Sequence, residues 1–239
     1  MFRVLVANSK GGSGKTTLTT NVAGYFAHGG RRTALVDCDP QASSLAWCSL
    51  RPPHLPAVQA IAGEDPVHGL RGSWLMRLPA ATEVVVIDTP AGLRSHEFAQ
   101  FARHADVLLI PIVPSAIDLR ATLAFIDMVG RQAEIRQGLL RLALVANRLR
   151  ERTLSARTLD ATLDRLTRHA VARLRDSQVY VGHSACGTTL FDDNGTQSRA
   201  HREDWQPLAA WLEQRAADRA PRGIVTPLAA ARRTGTPQT

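Results

Sequence analysis

Arg3-Val4-Leu5-Val6-Ala7 runs directly into Asn8-Ser9-Lys10-Gly11-Gly12-Ser13-Gly14-Lys15-Thr16-Thr17, and a helix-length segment, Lys15–His28, follows. An apolar run, a glycine-rich turn ending in Lys-Thr and a helix form the setting of a phosphate-binding loop. Glycines without a Cβ let successive backbone N–H groups converge on phosphate oxygens, and the helix N-terminus adds its dipole. In such a loop Lys15 contacts the β- and γ-phosphates and the Thr16 hydroxyl binds Mg²⁺, with Gly11, Gly12, Ser13, Gly14 and Thr17 completing the cradle. Lys10 and Lys15 are the only lysines in the chain; every other basic side chain is arginine. Such a bias is harmless where only charge matters. A cation fitted between backbone and phosphate oxygens needs the thin stem and compact ammonium of lysine.

The 239 residues suffice for one large α/β domain with a substantial core. No apolar run reaches the roughly 18 residues needed to cross a bilayer, and the apolar start before Asn8 is too short for a signal peptide, which predicts a cytoplasmic protein. Cys38, Cys48 and Cys186 are an odd number without metal-like spacing, so neither a disulfide framework nor a zinc site is expected.

Uniformly apolar runs recur at Arg3–Ala7, Thr33–Asp37, Val84–Asp88, Val107–Val113 and Leu139–Val145. Such runs suit strands covered on both faces. Helix-length segments lie between and after them, at Lys15–His28, Gln41–Leu50, Ser95–His104, Ala116–Gln137 and Thr153–His169. This alternation predicts an α/β fold: a mainly parallel, twisted sheet with helices on both faces and right-handed crossovers. Arg51–Pro66, with four prolines, reads as an irregular connection. A final amphipathic helix is expected at about Gln197–Asp218, with Trp205, Leu208, Trp211 and Leu212 on its apolar side. The single domain would then span 1–218, and the Pro- and Gly-rich 219–239 would be a disordered tail.

Two further strands end in acids. Leu35-Val36-Asp37-Cys38-Asp39-Pro40-Gln41 places two carboxylates at the carboxyl end of a buried strand, where open α/β sheets bind ligands. Val84-Val85-Val86-Ile87-Asp88-Thr89-Pro90-Ala91-Gly92 has the form of a Walker B strand, whose acid holds Mg²⁺. For Asp37 and Asp39 the alternative is capping of the helix that follows, which Asp does well.

The loop departs from the general pattern G-x-x-x-x-G-K-[ST] in having Ser9 where glycine is expected and Lys10 next. The resulting K-G-G-x-G-K-[ST]-[ST] resembles the deviant Walker A motif of the ParA/MinD family of P-loop ATPases, in its small type without an N-terminal helix-turn-helix, and the likeness extends to about Trp211. The resemblance implies an ATP-sandwich homodimer in which Lys10 reaches the partner's phosphates. It also implies that Asp39 positions the attacking water, that Asp37 lies near the Mg²⁺ shell beside Thr16 and Asp88, and that the Gly92 N–H senses the γ-phosphate. Asn147 of the V-x-N-R stretch would bond the adenine, with Arg175 and Tyr180 in the segment wrapping the base. Hydrolysis would be slow alone and stimulated by a ParB-like or cargo-adaptor protein. The nitrogenase iron protein shares this fold class but needs cluster cysteines that Cys38, Cys48 and Cys186 do not match.

The net charge is +8, and the segment from Arg141 to Arg175 holds nine arginines (141, 148, 150, 152, 157, 165, 168, 173, 175) against Glu151, Asp160 and Asp164. Most of the surplus charge therefore sits in one segment. Three acids cannot pair nine arginines within it. The bland reading is a solvated helix face with pairs such as Asp164 and Arg168. The favoured one is non-specific DNA binding through some of Arg148, Arg150, Arg152, Arg157, Arg165, Arg168, Arg173 and Arg175, as the resemblance implies, which makes the protein nucleoid-associated, with a plasmid, chromosome region or protein body as cargo. MinD-type relatives carry a C-terminal amphipathic membrane helix. Here Ile224, Val225 and Leu228 are too scattered for one, so a membrane-cycling role ranks second, and a small-molecule P-loop ligase or kinase third.

Overall fold

Lys15 starts a helix because Gly14, in the left-handed region at φ 89°, turns the chain out of the preceding strand. The computed structural model describes residues 1–63, 73–150, 153–165 and 170–218; the expected disordered tail, Arg152 and Arg168 lie outside them. In chain order the elements are β1 (Phe2–Val6), α1 (Lys15–His28), β2 (Thr33–Asp37), α2 (Ser43–Leu50), β3 (Val58–Ala62), β4 (Val84–Asp88), α3 (Ser95–Ala102), β5 (Val107–Ile112), α4 (Ala116–Gly130), α5 (Ala133–Arg136), β6 (Arg141–Leu149), α6 (Leu154–Arg165), β7 (Ala170–Arg175), α7 (Gln178–Ala185) and α8 (Thr196–Ala217). A short 3₁₀ turn, Ser73–Arg77, precedes β4.

The strands form one sheet in the order β3-β2-β4-β1-β5-β6-β7, with every pairing parallel. Alternate side chains of β1 go to opposite faces. Phe2, Val4 and Val6 pack with Leu18, Val22 and Phe26 of α1, Trp47 of α2 and Trp205, Leu208 and Leu212 of α8. Leu5 packs with Phe98 and Phe101 of α3, Leu119, Phe125, Ile126 and Val129 of α4, and Leu159 of α6. Helices therefore cover both faces, as expected for central strands that are apolar throughout. Each fully buried side chain of this size contributes about 1.5–3 kcal/mol.

The register sets up the functional end. Val6 pairs with Asp88, and Asp37 pairs with Asp88, so three neighbouring strands end on one rung. Two carboxylates and the start of the glycine loop thus converge at the carboxyl edge of the sheet, where the chain order changes direction across β1.

Several expectations change. Arg51–Pro66 is not wholly irregular: Val58–Ala62 forms edge strand β3, in which only Ile61 is buried. The other edge, β7, lies in what read as arginine-rich surface, with Ala172 and Leu174 buried and Arg173 exposed between them. The helix expected over Ala116–Gln137 stops at Gly130 and resumes as the single turn α5. The segment after β7 carries the extra helix α7.

Helix α2 is anchored far from its own neighbourhood in sequence. Arg51, just past its end, forks onto Asp192 with Nη1 and Nη2 each 2.9 Å from a carboxylate oxygen, and both side chains are almost fully buried. The guanidinium also donates to the Gly187 and Pro56 carbonyls and lies over the Trp47 ring. Removing one member of a buried pair strands the other charge. Asp192→Ala should therefore lose about 3 kcal/mol of unfolding stability in urea titrations; a loss under about 1 kcal/mol would mean that solvent reaches Arg51.

Candidate functional site

Gly12 and Gly14 both take positive φ, 75° and 89°, the backbone conformation that lets a glycine loop curl around a phosphate. A Cβ on Gly11 or Gly12 would meet open space, whereas one on Gly14 would lie 2.2 Å from Asn147 Nδ2. That open space beside the backbone suits a phosphate chain. Lys15 is buried, and its ammonium donates to the Lys10 carbonyl at 3.3 Å, curling back over the loop. Burial pushes its pKa down, with the charges of Asp88 and Asp39 acting in the opposite direction. A phosphate group would restore what burial takes from this cation.

Lys10 points elsewhere. Its ammonium lies 3.5 Å from Asp118 on α4, with the lysine side chain 41% exposed. The residues before it are also tied to neighbouring elements. Asn8 donates to the Pro111 carbonyl and Thr122 Oγ1, and Ser9 Oγ to the Ala121 carbonyl. The Gly92 N–H donates to the Ser9 carbonyl at 2.8 Å, so the loop after β4 rests on the phosphate loop.

Three acids end β2 and β4 or follow them, of which Asp39 lines the cleft while Asp37 and Asp88 are buried. Asp88 is buried with no hydrogen-bond partner on either carboxylate oxygen, and burial, with the Asp37 charge adding to it, raises its pKa to about 7. Such a group is suited to a cation. A Mg²⁺ ion held between Asp88 and Thr16 fits this arrangement. Asp37 is already engaged: Oδ1 accepts from the Asp39 N–H, and Oδ2 accepts from the Ser44 and Leu45 N–H groups. Here the helix-capping alternative is what the geometry displays. Asp39 is half-buried and accepts from the Gln41 N–H at 2.9 Å.

Two adjoining clefts share Thr17 and Arg148. One, about 580 Å³, is lined by Gly11, Gly12, Gly14, Lys15, Thr16, Asp39, Pro90 and Ala91, and so brings part of the expected site together; Lys10, Ser13, Asp37 and Asp88 are not in its lining. The other, about 560 Å³, is lined by Asn147, Arg175, Asp176, Ser177, Tyr180 and Ser184 among others, and has the place and size for a base. Both side chains expected to touch adenine have internal partners. Asn147 Nδ2 donates to the Ser13 carbonyl at 2.9 Å and its Oδ1 accepts from the Arg148 N–H, clamping the phosphate loop to β6. Arg175 forks onto Asp204 of α8 at 2.6 and 2.7 Å. Arg150 pairs with Asp176 at 3.0 Å. The arginine segment therefore takes acids from outside itself, which the count within 141–175 missed. Sequence reasoning also missed Asn8 and Asp118, and it gave Arg148 only to DNA, whereas Arg148 lines both clefts and holds a left-handed φ of 54° where the β6–β7 register shifts. No local signal marks the first two; Arg148 stood in the V-x-N-R stretch.

Residues 4–176, from β1 through β7, match the CobQ/CobB/MinD/ParA nucleotide binding domain. The chain belongs to this family. The chain is similar to the Maintenance of carboxysome distribution protein A of Halothiobacillus neapolitanus, 33% identical over 165 residues that cover 69% of this chain and 74% of that one. The chromosome-partitioning ATPase Soj of Thermus thermophilus is 40% identical over 87 residues, 35% of this chain and 33% of its own. Among solved structures, an ATP complex of a substituted McdA from Cyanothece superposes with a TM-score of 0.67 at 16% identity, covering 92% of this chain and 98% of that one. The MinC:MinD complex of Aquifex aeolicus gives 0.68 at 16%, over 88% and 96%. At such identities the structural likeness concerns the fold: the seven-stranded parallel sheet and its P-loop are those of ParA/MinD-type proteins.

The buried Asp88 carries a pH signature. Its carboxyl ionises near pH 4 when unfolded and near 7 when folded, so the unfolded chain loses its proton first and stability falls as pH rises through that window. In metal- and nucleotide-free protein Asp88→Asn should raise the melting temperature at pH 8, by up to about 4 kcal/mol in stability, and the gain should vanish near pH 4. A gain independent of pH would place its origin elsewhere.

Proposed function

We propose that this chain is a ParA-type Mg-dependent ATPase that forms an ATP-sandwich homodimer, binds DNA without sequence preference in that form, and positions a cargo through partner-stimulated hydrolysis. The observation that carries this reading is the division of labour between the two lysines. Lys15 curls into its own loop, whereas the 41%-exposed Lys10 side chain has its ammonium outside that cradle, beside the partly buried Asp118 carboxylate. An exposed pair of this kind is worth about 0–1 kcal/mol, so Lys10 is easily released toward a second phosphate chain.

In this reading Lys15 and the loop amides hold the β- and γ-phosphates. Thr16 and Asp88 would hold Mg²⁺, with Asp37 beside them as an outer acceptor; when bound, the ion would neutralise charge on the terminal phosphate oxygens. Asp39 orients the attacking water. The Gly92 N–H leaves the Ser9 carbonyl for the γ-phosphate, which gives the loop after β4 two discrete states. The base takes the second cleft, beside Tyr180, Asn147 and Arg175. Lys10 neutralises the partner's transferring phosphate, the work an arginine finger does in other P-loop enzymes.

The DNA-binding reading rests on the exposed side chains of Arg148, where β6 meets β7, and Arg157 on α6. Arg150 and Arg175, which pair with Asp176 and Asp204, are weaker candidates. No helix among the described residues is long and apolar enough to cross a membrane, and α8 buries Trp205, Leu208 and Leu212 in the core rather than offering them to a lipid surface. The relatives named for carboxysome distribution and chromosome partition supply the cargo classes: a protein body, a chromosome region or a plasmid, delivered through a ParB-like or adaptor protein in the cytoplasm, on the nucleoid.

The two lysines should separate in experiment. Lys15→Ala should weaken ATP binding at least about 100-fold, a loss of about 2.7 kcal/mol. Lys10→Ala should retain binding but lose ATP-dependent dimerisation or stimulated hydrolysis; equal effects on nucleotide affinity would remove the trans role of Lys10. Asp39→Ala should accumulate as an ATP-bound dimer that retains DNA binding, with affinity falling by orders of magnitude between about 50 and 200 mM salt. Binding to anionic liposomes without binding to DNA would support the membrane-cycling alternative.

A further inference from the structure

Ser44, in the first turn of α2, is completely buried, and its hydroxyl has no hydrogen-bond partner. An unmatched buried hydroxyl costs about 1–3 kcal/mol, and alanine would fill nearly the same space without that penalty. The usual reasons for serine at a helix start do not apply. The cap position is Ala42, with no side-chain cap, and the Ser44 and Leu45 amides are satisfied by Asp37 rather than by a neighbouring hydroxyl.

What surrounds Ser44 gives it a use. Its amide lies 2.9 Å from Asp37 Oδ2, and Asp37 stands directly beside Asp88 on the β2–β4 rung. Asp88 has two buried oxygens without partners. The Thr16 and Ser44 hydroxyls both lie near enough to the Asp88 carboxyl to oppose the upward pull of burial, yet neither Asp88 oxygen nor the Ser44 hydroxyl reaches hydrogen-bond geometry. A buried donor therefore stands beside a buried acceptor without a formed bond between them. A carboxylate that binds a cation through one oxygen is oriented by a hydrogen bond to the other.

We propose that Ser44 is a positioning residue for the metal site: when Mg²⁺ and nucleotide enter, its hydroxyl donates to the Asp88 oxygen turned away from the cation and fixes the carboxylate's rotamer. This rests on the reading of the cleft as a Mg-nucleotide site. It also ties the first turn of α2, and through it the Asp39 segment, to the state of the cation. An occupied site then holds the water-orienting carboxylate in register, and an empty one leaves the first turn of α2 held at this point by Asp37 alone.

The test is a Mg²⁺ titration of the melting temperature at fixed, saturating non-hydrolysable ATP analogue, beside melts of the EDTA-treated chain without nucleotide. Ser44→Ala should leave the empty chain as stable as the unsubstituted protein or more so, because an unmatched hydroxyl is gone, yet raise the Mg²⁺ concentration for half-maximal stabilisation about tenfold. Ser44→Cys, close in size but a poor donor, should give the same Mg²⁺ shift. Nucleotide affinity in EDTA should not change for either variant. Half-saturation within about twofold of the unsubstituted protein for both variants would overturn the proposal. So would a Mg²⁺ defect in Ser44→Ala that Ser44→Cys repairs, since volume rather than the hydroxyl would then be responsible. If the unsubstituted protein gains nothing from Mg²⁺ with nucleotide, the Mg-nucleotide reading itself fails, a result visible before any variant is made.

Discussion

The loop from Asn8 to Gly14 must be held open around its ligand, and five hydrogen bonds to and within it do this. Asn8 fixes its start to the Pro111 carbonyl and Thr122, the Gly92 N–H takes the Ser9 carbonyl, Asn147 takes the Ser13 carbonyl, and Lys15 closes on the Lys10 carbonyl from within. The Lys10 N–H is itself taken up by Asn8 Oδ1 at 3.1 Å. The central strands serve this end: β1 delivers the loop, β4 delivers Asp88 and Gly92, and β5 and β6 deliver Pro111 and Asn147 at the same edge of the sheet. Pro111 is tolerated in a central strand because it lies past the last rung with β1, Val6 with Leu109.

The cleft is electrostatically incomplete. Burial holds the Lys15 pKa down and the Asp88 pKa up, so each ionised group is disfavoured where it stands. A phosphate chain with its divalent cation supplies the missing opposite charge to both at once, so ligand binding relieves a penalty as well as adding contacts. Lys10 is different: half-exposed beside Asp118, it already has a modest partner and little to lose by leaving it. That contrast, between one lysine confined to the cradle and one outside it, is the physical basis for assigning them to different subunits.

The sequence made the centre of the fold legible and left its edges obscure. β1, β2, β4, β5 and β6 are covered on both faces and therefore read as continuous apolar runs. β3 buries only Ile61 and β7 alternates with arginine, so neither produces such a run. Helix α7 has no buried residue to generate a period. At the site, the glycine loop and the acids ending β2 and β4 were legible because each pattern is local. The actual partners of Asn147 and Arg175, Ser13 and Asp204, lie 134 and 29 residues away in sequence and are brought near only by the packed sheet and α8. The capping role of Asp37 could be weighed from sequence but not decided, since it depends on where α2 begins.

The central claim is that ATP converts this chain from one subunit to two, with Lys10 completing the partner's site. Sedimentation velocity of the unsubstituted protein in Mg²⁺ with ATP or with ADP measures this most directly. The account expects twice the single-chain mass with ATP and a single chain with ADP. A single chain under both conditions, at concentrations well above those that saturate nucleotide binding, would contradict it.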